Sequence, residues 1–279
     1  MVFNCESIND HVDRVNKIID ENKVAIIKLS DDNKYLQVMK VDYDKNYTTK
    51  SEYTFFDGLF CADIVMQNKD IIAVNLDIKK YGNNYSYFDC TKLRFLKKSL
   101  NSKFKKFGIP DVLINCSYPT VGNWSSNNFS KLNIDNAKSN MDAHLLSYTL
   151  IANEIAKKMV SKKMKGKIIL FSSIYGFLAQ NSNNYLNTKM RENLTYTLIK
   201  SGIIGLAKQM AFYYGNKGLE INCISPGAVQ GHVKGSSKKQ NRDFVKQFSK
   251  NTALKRLAKP KEIANLVKFL SSEECSYIT

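Results

Sequence analysis

The sequence has no C-x-x-C pair and no cluster of cysteine with histidine, although it carries six cysteines, at positions 5, 61, 90, 116, 223 and 275. Several of these lie inside apolar, strand-like runs, so reduced and mostly buried thiols fit better than disulfides or a zinc site. No apolar run is long enough to span a bilayer, and the polar start Met1-Val-Phe-Asn-Cys-Glu-Ser lacks the core of a signal peptide. A cytoplasmic chain with no membrane partner is expected. Acidic residues are scarce too: 25 Asp and Glu stand against 42 Lys and Arg, a formal net charge of +17. Such an excess invites a nucleic-acid partner, but here the lysines are spread out. The densest groups, Lys92 to Lys106 and Lys157 to Lys167, recur at helical spacing on segments that also carry an apolar stripe. Solvated helix faces explain them, and no specific nucleic acid is implied. The charge is compatible with attraction of an anionic substrate such as a sugar phosphate.

With 43% apolar residues in 279, the chain can build one large core, or one domain with a small appendage. Residues 1–50 read as that appendage: an amphipathic helix over Val12 to Asn22, a strand from Lys23, and a hairpin partner from Tyr35 across Asp31-Asp-Asn-Lys34. From about residue 51 strands and helices alternate. Ile71 to Asp77, Tyr85 to Cys90, Asp111 to Asn115, Lys165 to Phe171 and Leu219 to Ile224 read as strands. Lys92 to Phe107, closed by Gly108, and Ala137 to Met164 read as helices. The expected fold is α/β, a parallel sheet covered by helices on both faces over residues 51–279, with ligands bound beyond the strands' carboxyl ends.

The most informative stretch is Tyr196-Thr-Leu-Ile-Lys200, followed by Ser-Gly-Ile-Ile-Gly-Leu-Ala. On a helix, residues four apart share a face, so the phenol and the ammonium become neighbours. A cation beside a phenol favours phenolate and brings a group that titrates near pH 10 toward use as a general acid or base. Upstream, Ile168-Ile-Leu-Phe-Ser-Ser-Ile-Tyr-Gly176 is a buried strand ending in two hydroxyls and a turn glycine. Downstream, Leu219 to Gly227 ends in Pro226-Gly227. Strand with serine, helix with Tyr and Lys, then strand with Pro-Gly is the order of the short-chain dehydrogenase/reductase family, which this region resembles. Tyr185-Leu-Asn-Thr-Lys189 repeats the Tyr-x-x-x-Lys spacing nearer to the serine, but it lies in Asn-rich, loop-like sequence. The later pair is therefore preferred, and residues 181–195 are expected to be an insertion over the substrate site.

The resemblance implies a Rossmann-like fold and NAD or NADP as cofactor. It gives Ser173 the role of orienting the substrate oxygen, Tyr196 that of proton transfer, and Lys200 that of lowering the tyrosine's pKa and binding the nicotinamide ribose. The proton-relay position of the long helix falls near Asn140 or His144, with His144 the better match. On the cofactor side it implies Gly58 in the phosphate-binding turn, Asp77 at the adenosine ribose, Asp89 at the adenine, Asn115 in the turn after its strand, and Pro226 and Gly227 near the nicotinamide. Asp77 lies 19 positions after Gly58, the interval that suits a ribose-binding acid, and a carboxylate there repels a 2'-phosphate and favours NAD. The match is broken in two places. Tyr53 to Cys61 retains only Thr54 and Gly58 of the family's Thr-Gly-x-x-x-Gly-x-Gly, with Phe55 and Cys61 where glycines belong, and Cys116-Ser117-Tyr118 replaces the end of its Asn-Asn-Ala-Gly turn.

From Asn115 to Thr279 the chain is most similar to a branch of the family concerned with flagellin modification and surface-sugar biosynthesis, which implies a sugar-like small-molecule substrate. A homo-oligomer is compatible with the resemblance. Family members continue past Ser276-Tyr-Ile-Thr279 into a last strand, which is expected to be missing here, exposing a sheet edge. Two functions follow: a nicotinamide-dependent oxidoreductase, or a reductase-like pseudoenzyme that binds or regulates a partner with its cofactor cradle disabled.

Overall fold

The computed structural model describes residues 28–29, 34–35, 74–77, 85–119, 127–231 and 240–279. Strands β1 (Lys28–Leu29) and β2 (Lys34–Tyr35) pair antiparallel, with Lys28 opposite Tyr35. That ladder falls where the hairpin was expected. The rest of the expected appendage, Gly58 and the Tyr53 to Cys61 turn lie outside the described residues. Strands β3 (Asn75–Asp77) and β4 (Tyr85–Tyr87) pair parallel. The basic helix α1 (Leu93–Phe107) follows and ends at Gly108, whose φ of 88° needs glycine and whose N–H donates to the Phe104 carbonyl at 2.9 Å.

Next come β5 (Val112–Asn115) and a long helical segment in three parts: α2 (Ile134–Met141), a π turn (Asp142–Leu146) and α3 (Ser147–Ser161). Strand β6 (Gly166–Phe171), helix α4 (Leu194–Tyr214), strand β7 (Leu219–Ile224) and helices α5 (Arg242–Lys250) and α6 (Pro260–Ser271) complete the order. Strands β5, β6 and β7 form a parallel sheet in that order, with Asn115 opposite Leu170 and Leu170 opposite Cys223.

The apolar runs explain why β5 and β6 are central. Every residue of both is buried, as both faces of a parallel sheet are covered. On one face Leu113, Ile168, Leu170 and Ile221 pack with Leu96 and Leu100 of α1, Ile151, Ile155 and Met159 of α3, and Ile199, Ile203 and Met210 of α4. Helix α6 buries Ala264, Val267 and Leu270 and packs against β6 outside that cluster. The outer edge of β7 is met by the chain's last residues: Ile221 N–H donates to Thr279 Oγ1 at 2.9 Å, and Asn222 Nδ2 donates to the Ile278 carbonyl at 2.8 Å.

The continuous helix expected over Ala137 to Met164 is interrupted by the π turn. This widened turn carries His144, and its Leu145 meets α4 at Gly202. A Cβ added at Gly202 would sit 2.8 Å from Leu145 Cδ2, so the two helices approach closely only because a side chain is missing there.

Candidate active site

Two close contacts fix the end of β6 against α4. Ser172 Oγ donates to the Lys200 carbonyl at 2.6 Å, while Ser172 N–H donates to Ile224 O at 2.8 Å on β7. Gly176 then passes so near the helix that a Cβ would fall 2.6 Å from Ser172 Oγ and 2.9 Å from Lys200 O. Between these ties Ser173 begins a single 3-10 turn (Ile174–Gly176), and its Oγ accepts from Tyr175 N–H at 3.2 Å. Ile174 N–H donates to Pro226 O at 3.0 Å, which brings the loop after β7 to the serine. Pro226 is buried and Gly227 exposed; the nearest atom to a Cβ at Gly227 would be Ile174 Cδ1 at 3.9 Å.

Helix α4 starts at Asn193, whose side chain accepts from Tyr196 N–H at 2.9 Å and from Thr195 Oγ1 at 2.8 Å. The cap therefore holds the turn that carries Tyr196. The Tyr196 hydroxyl is hydrogen-bonded to Ser173, and Lys200 Nζ lies 5.7 Å from the Tyr196 ring centre. Lys200 is only 2% exposed, and its Nζ donates to Phe171 O at 3.1 Å. Ser173, Tyr196 and Lys200 thus come together at the carboxyl ends of β6 and its neighbours. Tyr185, the alternative tyrosine, sits in a separate 3-10 turn (Ser182–Tyr185), donates to Gln180 Oε1 at 3.0 Å and stacks on Phe244, while Lys189 is exposed.

The electrostatics run against one expectation. The lysine was to lower the tyrosine's pKa, but burial pushes Tyr196 up to about 12, opposed only in part by the Ser173 hydrogen bond. Burial also pulls Lys200 down to about 7, so the cation that was to act on the phenol is itself destabilised. Desolvation acts on both groups at once, and spacing along a helix carries no information about it.

His144 is fully buried, in edge contact with Tyr118 at 5.1 Å between ring centres and tilted against Tyr148 at 5.3 Å. Burial, with the Lys200 charge nearby, holds its pKa well below the ordinary histidine range. Neither ring nitrogen has a hydrogen-bond partner, and Asn140 Oδ1 and Asn115 Nδ2 are likewise buried and unpaired. Asn115 Oδ1 accepts from Ser117 Oγ at 2.8 Å. Orphaned polar atoms of this kind, Asn115 at a strand end and Asn140 and His144 on the helical segment, suit a polar ligand or bound water. Asn140, the other relay candidate, faces back along its own helix and donates to Asn136 O at 2.7 Å.

The acids are spread more widely. Asp89 Oδ1 accepts from Thr91 N–H at 2.9 Å and Thr91 Oγ1 at 2.6 Å, a local turn just before α1. Asp77 ends β3 opposite Tyr87.

Three aromatic residues near the site escaped sequence reasoning. Tyr118 lies 6.1 Å from the Tyr196 ring, and Tyr175 lies 6.4 Å from both Tyr196 and Phe248 of α5. Asn184 Nδ2 donates to Tyr175 Oη at 3.1 Å, and Asn251 Nδ2 donates to Asn184 Oδ1 at 2.6 Å, tying the 182–185 turn to the end of α5. Only the tyrosine standing in place of a turn glycine at 118 signalled any of this. A cavity of about 620 Å³, lined by Asp111, Lys167, Glu220 and Thr279 among others, opens at the opposite ends of the strands and includes none of the site residues.

Residues 64–279 match the family described as "Enoyl-(Acyl carrier protein) reductase". A post-translational flagellin modification protein A from Campylobacter coli is 26% identical over 211 residues, covering 76% of this chain and 75% of that protein. A 3-oxoacyl-[acyl-carrier-protein] reductase FabG from Buchnera aphidicola is 31% identical over 175 residues, covering 63% of this chain and 64% of that protein, under two thirds of its length. Among solved structures, a short chain dehydrogenase from Leptospira borgpetersenii with bound NAD+ has the same fold, with a TM-score of 0.70 at 23% identity over 88% of this chain and 89% of that one. A family match of this extent places the chain in the short-chain dehydrogenase/reductase family.

Proposed function

We propose that this protein is an NAD(P)-dependent oxidoreductase that interconverts a secondary alcohol and its carbonyl, with a sugar derivative as the substrate class and NAD favoured by Asp77. The observation that carries the reading is the hydrogen-bonded Ser173–Tyr196 pair with Lys200 one helical turn further on. The site residues fit a nicotinamide riboside: Asn115 Nδ2 is buried and unpaired, Lys200 Nζ has further donors, and Gly227 leaves open space. A bound nucleotide would supply or accept the hydride.

The chain's own residues account for the proton. Ser173 Oγ holds the substrate oxygen beside Tyr196 Oη. With its pKa near 12 Tyr196 is a neutral phenol at pH 7 and holds the proton that a developing alkoxide would take. Lys200, with a pKa near 7, is the group able to return that proton near neutrality. His144 is proposed as the relay residue behind Lys200, reached through water bound at its unpaired ring nitrogens. Tyr175, half-buried and backed by Phe248, offers an aromatic face against which the C–H edge of a sugar ring can pack. The likeness to a flagellin modification protein supports a sugar substrate and a role in surface glycan or flagellin modification.

A second reading is favoured by Phe55 and Cys61, which stand where phosphate-cradling glycines belong. On that reading the protein is a reductase-like binding partner without turnover. Titration with NADH, followed by its fluorescence, separates the two. Saturable binding, with Tyr196→Phe binding equally but losing about 100-fold or more in turnover on nucleotide-linked or phosphorylated sugars, is the expected result. Absence of saturable binding would overturn the oxidoreductase reading in favour of the second.

A further inference from the structure

Lys200 is an unusual buried cation. Among the described residues no carboxylate pairs with it, and its one hydrogen bond goes to the Phe171 carbonyl. An ammonium group so placed should lose its proton unless some other source of negative potential faces it. Three rings do so. Nζ lies 5.6 Å from the centre of the Tyr118 ring, 5.7 Å from that of Tyr196 and 5.9 Å from that of Tyr148, each within the range of a cation–π contact.

The three tyrosines come from different parts of the fold: the loop after β5, the first turn of α4 and the start of α3. Two are fixed by other duties. Tyr196 is hydrogen-bonded to Ser173, and the fully buried Tyr148 donates its hydroxyl to Ser117 O at 3.0 Å. Tyr118 is the third side. It stands where the family's turn has glycine, and the lysine would have no ring on that side with a glycine at 118.

We propose that Tyr118 is a positioning residue for Lys200: with Tyr148 and Tyr196 it closes a three-sided aromatic cage that holds Nζ in place as an ammonium ion. The cage offsets part of the desolvation, because three ring faces turn negative charge toward Nζ. The other titratable groups facing the lysine are His144 from the π turn, Cys116 after β5 and Cys223 on β7. None is a carboxylate; Cys223 and Cys116 act to raise the lysine's pKa, and the rings add to them. The bearing of the cage on proton transfer rests on the oxidoreductase reading; the cage itself is a property of the protein without substrate or nucleotide.

The test uses the full chain with lysine side chains labelled for NMR at the carbon next to nitrogen. The Lys200 signal is assigned by its loss in Lys200→Met and titrated from acid to base. Position 118 then carries phenylalanine and its mono-, di- and trifluorinated forms, which keep the ring's shape while draining negative charge from its face. The expected result is a Lys200 pKa that falls steadily along the series, by about 0.5 to 1 pH unit from phenylalanine to the trifluoro ring. Because the ring's size is retained, folding is preserved, and circular dichroism checks it. A pKa that stays level across the series overturns the proposal, as does a lysine signal that titrates only in the ordinary range.

Discussion

Replacing Lys200 by methionine should make the protein more stable at low pH and less stable at high pH. The side chain is 2% exposed and has no carboxylate partner among the described residues, so its charged form carries most of its desolvation unrelieved. A pKa drawn from 10.5 to about 7 corresponds to a penalty of order 5 kcal/mol on the ammonium, at about 1.4 kcal/mol per pH unit. The sign follows from proton counts. Between pH 7 and 10.5 the unfolded chain holds a proton on this lysine that the folded chain does not, so the stability of the natural protein rises through that window. Below pH 7 the whole penalty is present. Methionine has the same length and no charge, and its only losses are the hydrogen bond to Phe171 O and the ring contacts. We expect a net gain of about 2–3 kcal/mol below neutrality, or about 5–10 °C in Tm, which falls through zero within the window and becomes a loss of about 2–3 kcal/mol near pH 10.5. Urea unfolding of both proteins across this range measures it. Two stability curves separated by a constant amount at every pH would refute the reasoning, because the lysine would then carry no perturbed titration.

Two further substitutions probe how the site is built. Gly176→Ala places a Cβ within 2.6 Å of Ser172 Oγ and 2.9 Å of the Lys200 carbonyl, so the turn and α4 must separate. A loss of about 1–3 kcal/mol in urea unfolding is expected, with a Tyr196 environment altered by near-ultraviolet circular dichroism. Asn193→Ala removes the acceptor for Tyr196 N–H and Thr195 Oγ1 and should cost about 1 kcal/mol. Faster hydrogen exchange confined to the first turn of α4 would identify the cap as the cause.

The strands at the centre of the sheet were legible because burial on both faces demands uninterrupted apolar runs, and Val112–Asn115 and Gly166–Phe171 are such runs. The turn at Gly108 could be read because it depends on residues adjacent in sequence, and so could a hairpin near residues 28–35, although Lys34, expected in its turn, pairs with Leu29 instead. Tyr196 and Lys200 could be placed together from spacing alone, and the Asn-rich composition around Tyr185 and Lys189 marked that stretch as a loop. The charge state of the pair could not, because it depends on helices and strands folded around it from elsewhere in the chain. Tyr118 illustrates the same limit. Its departure from a glycine was visible, but the proximity to Lys200 arises only when the end of β5 and the middle of α4 meet. Asn193 was concealed differently: among so many asparagines, the one that starts a helix has no distinguishing neighbour.

The π turn at Asp142–Leu146 inserts one residue without advancing the helix face, so the stretches on either side of it are out of phase by one position. The downstream half can keep Ile151, Ile155 and Met159 against the sheet whatever happens upstream. His144 sits in the slack between the two halves. Dropping a single residue there would restore an unbroken spiral, leave the hydrophobic interior seated as before, and swing the imidazole away from the lysine. The placing of the imidazole and the packing of the interior are therefore set by separate stretches of one rod, and insertions or deletions can move the first while sparing the second.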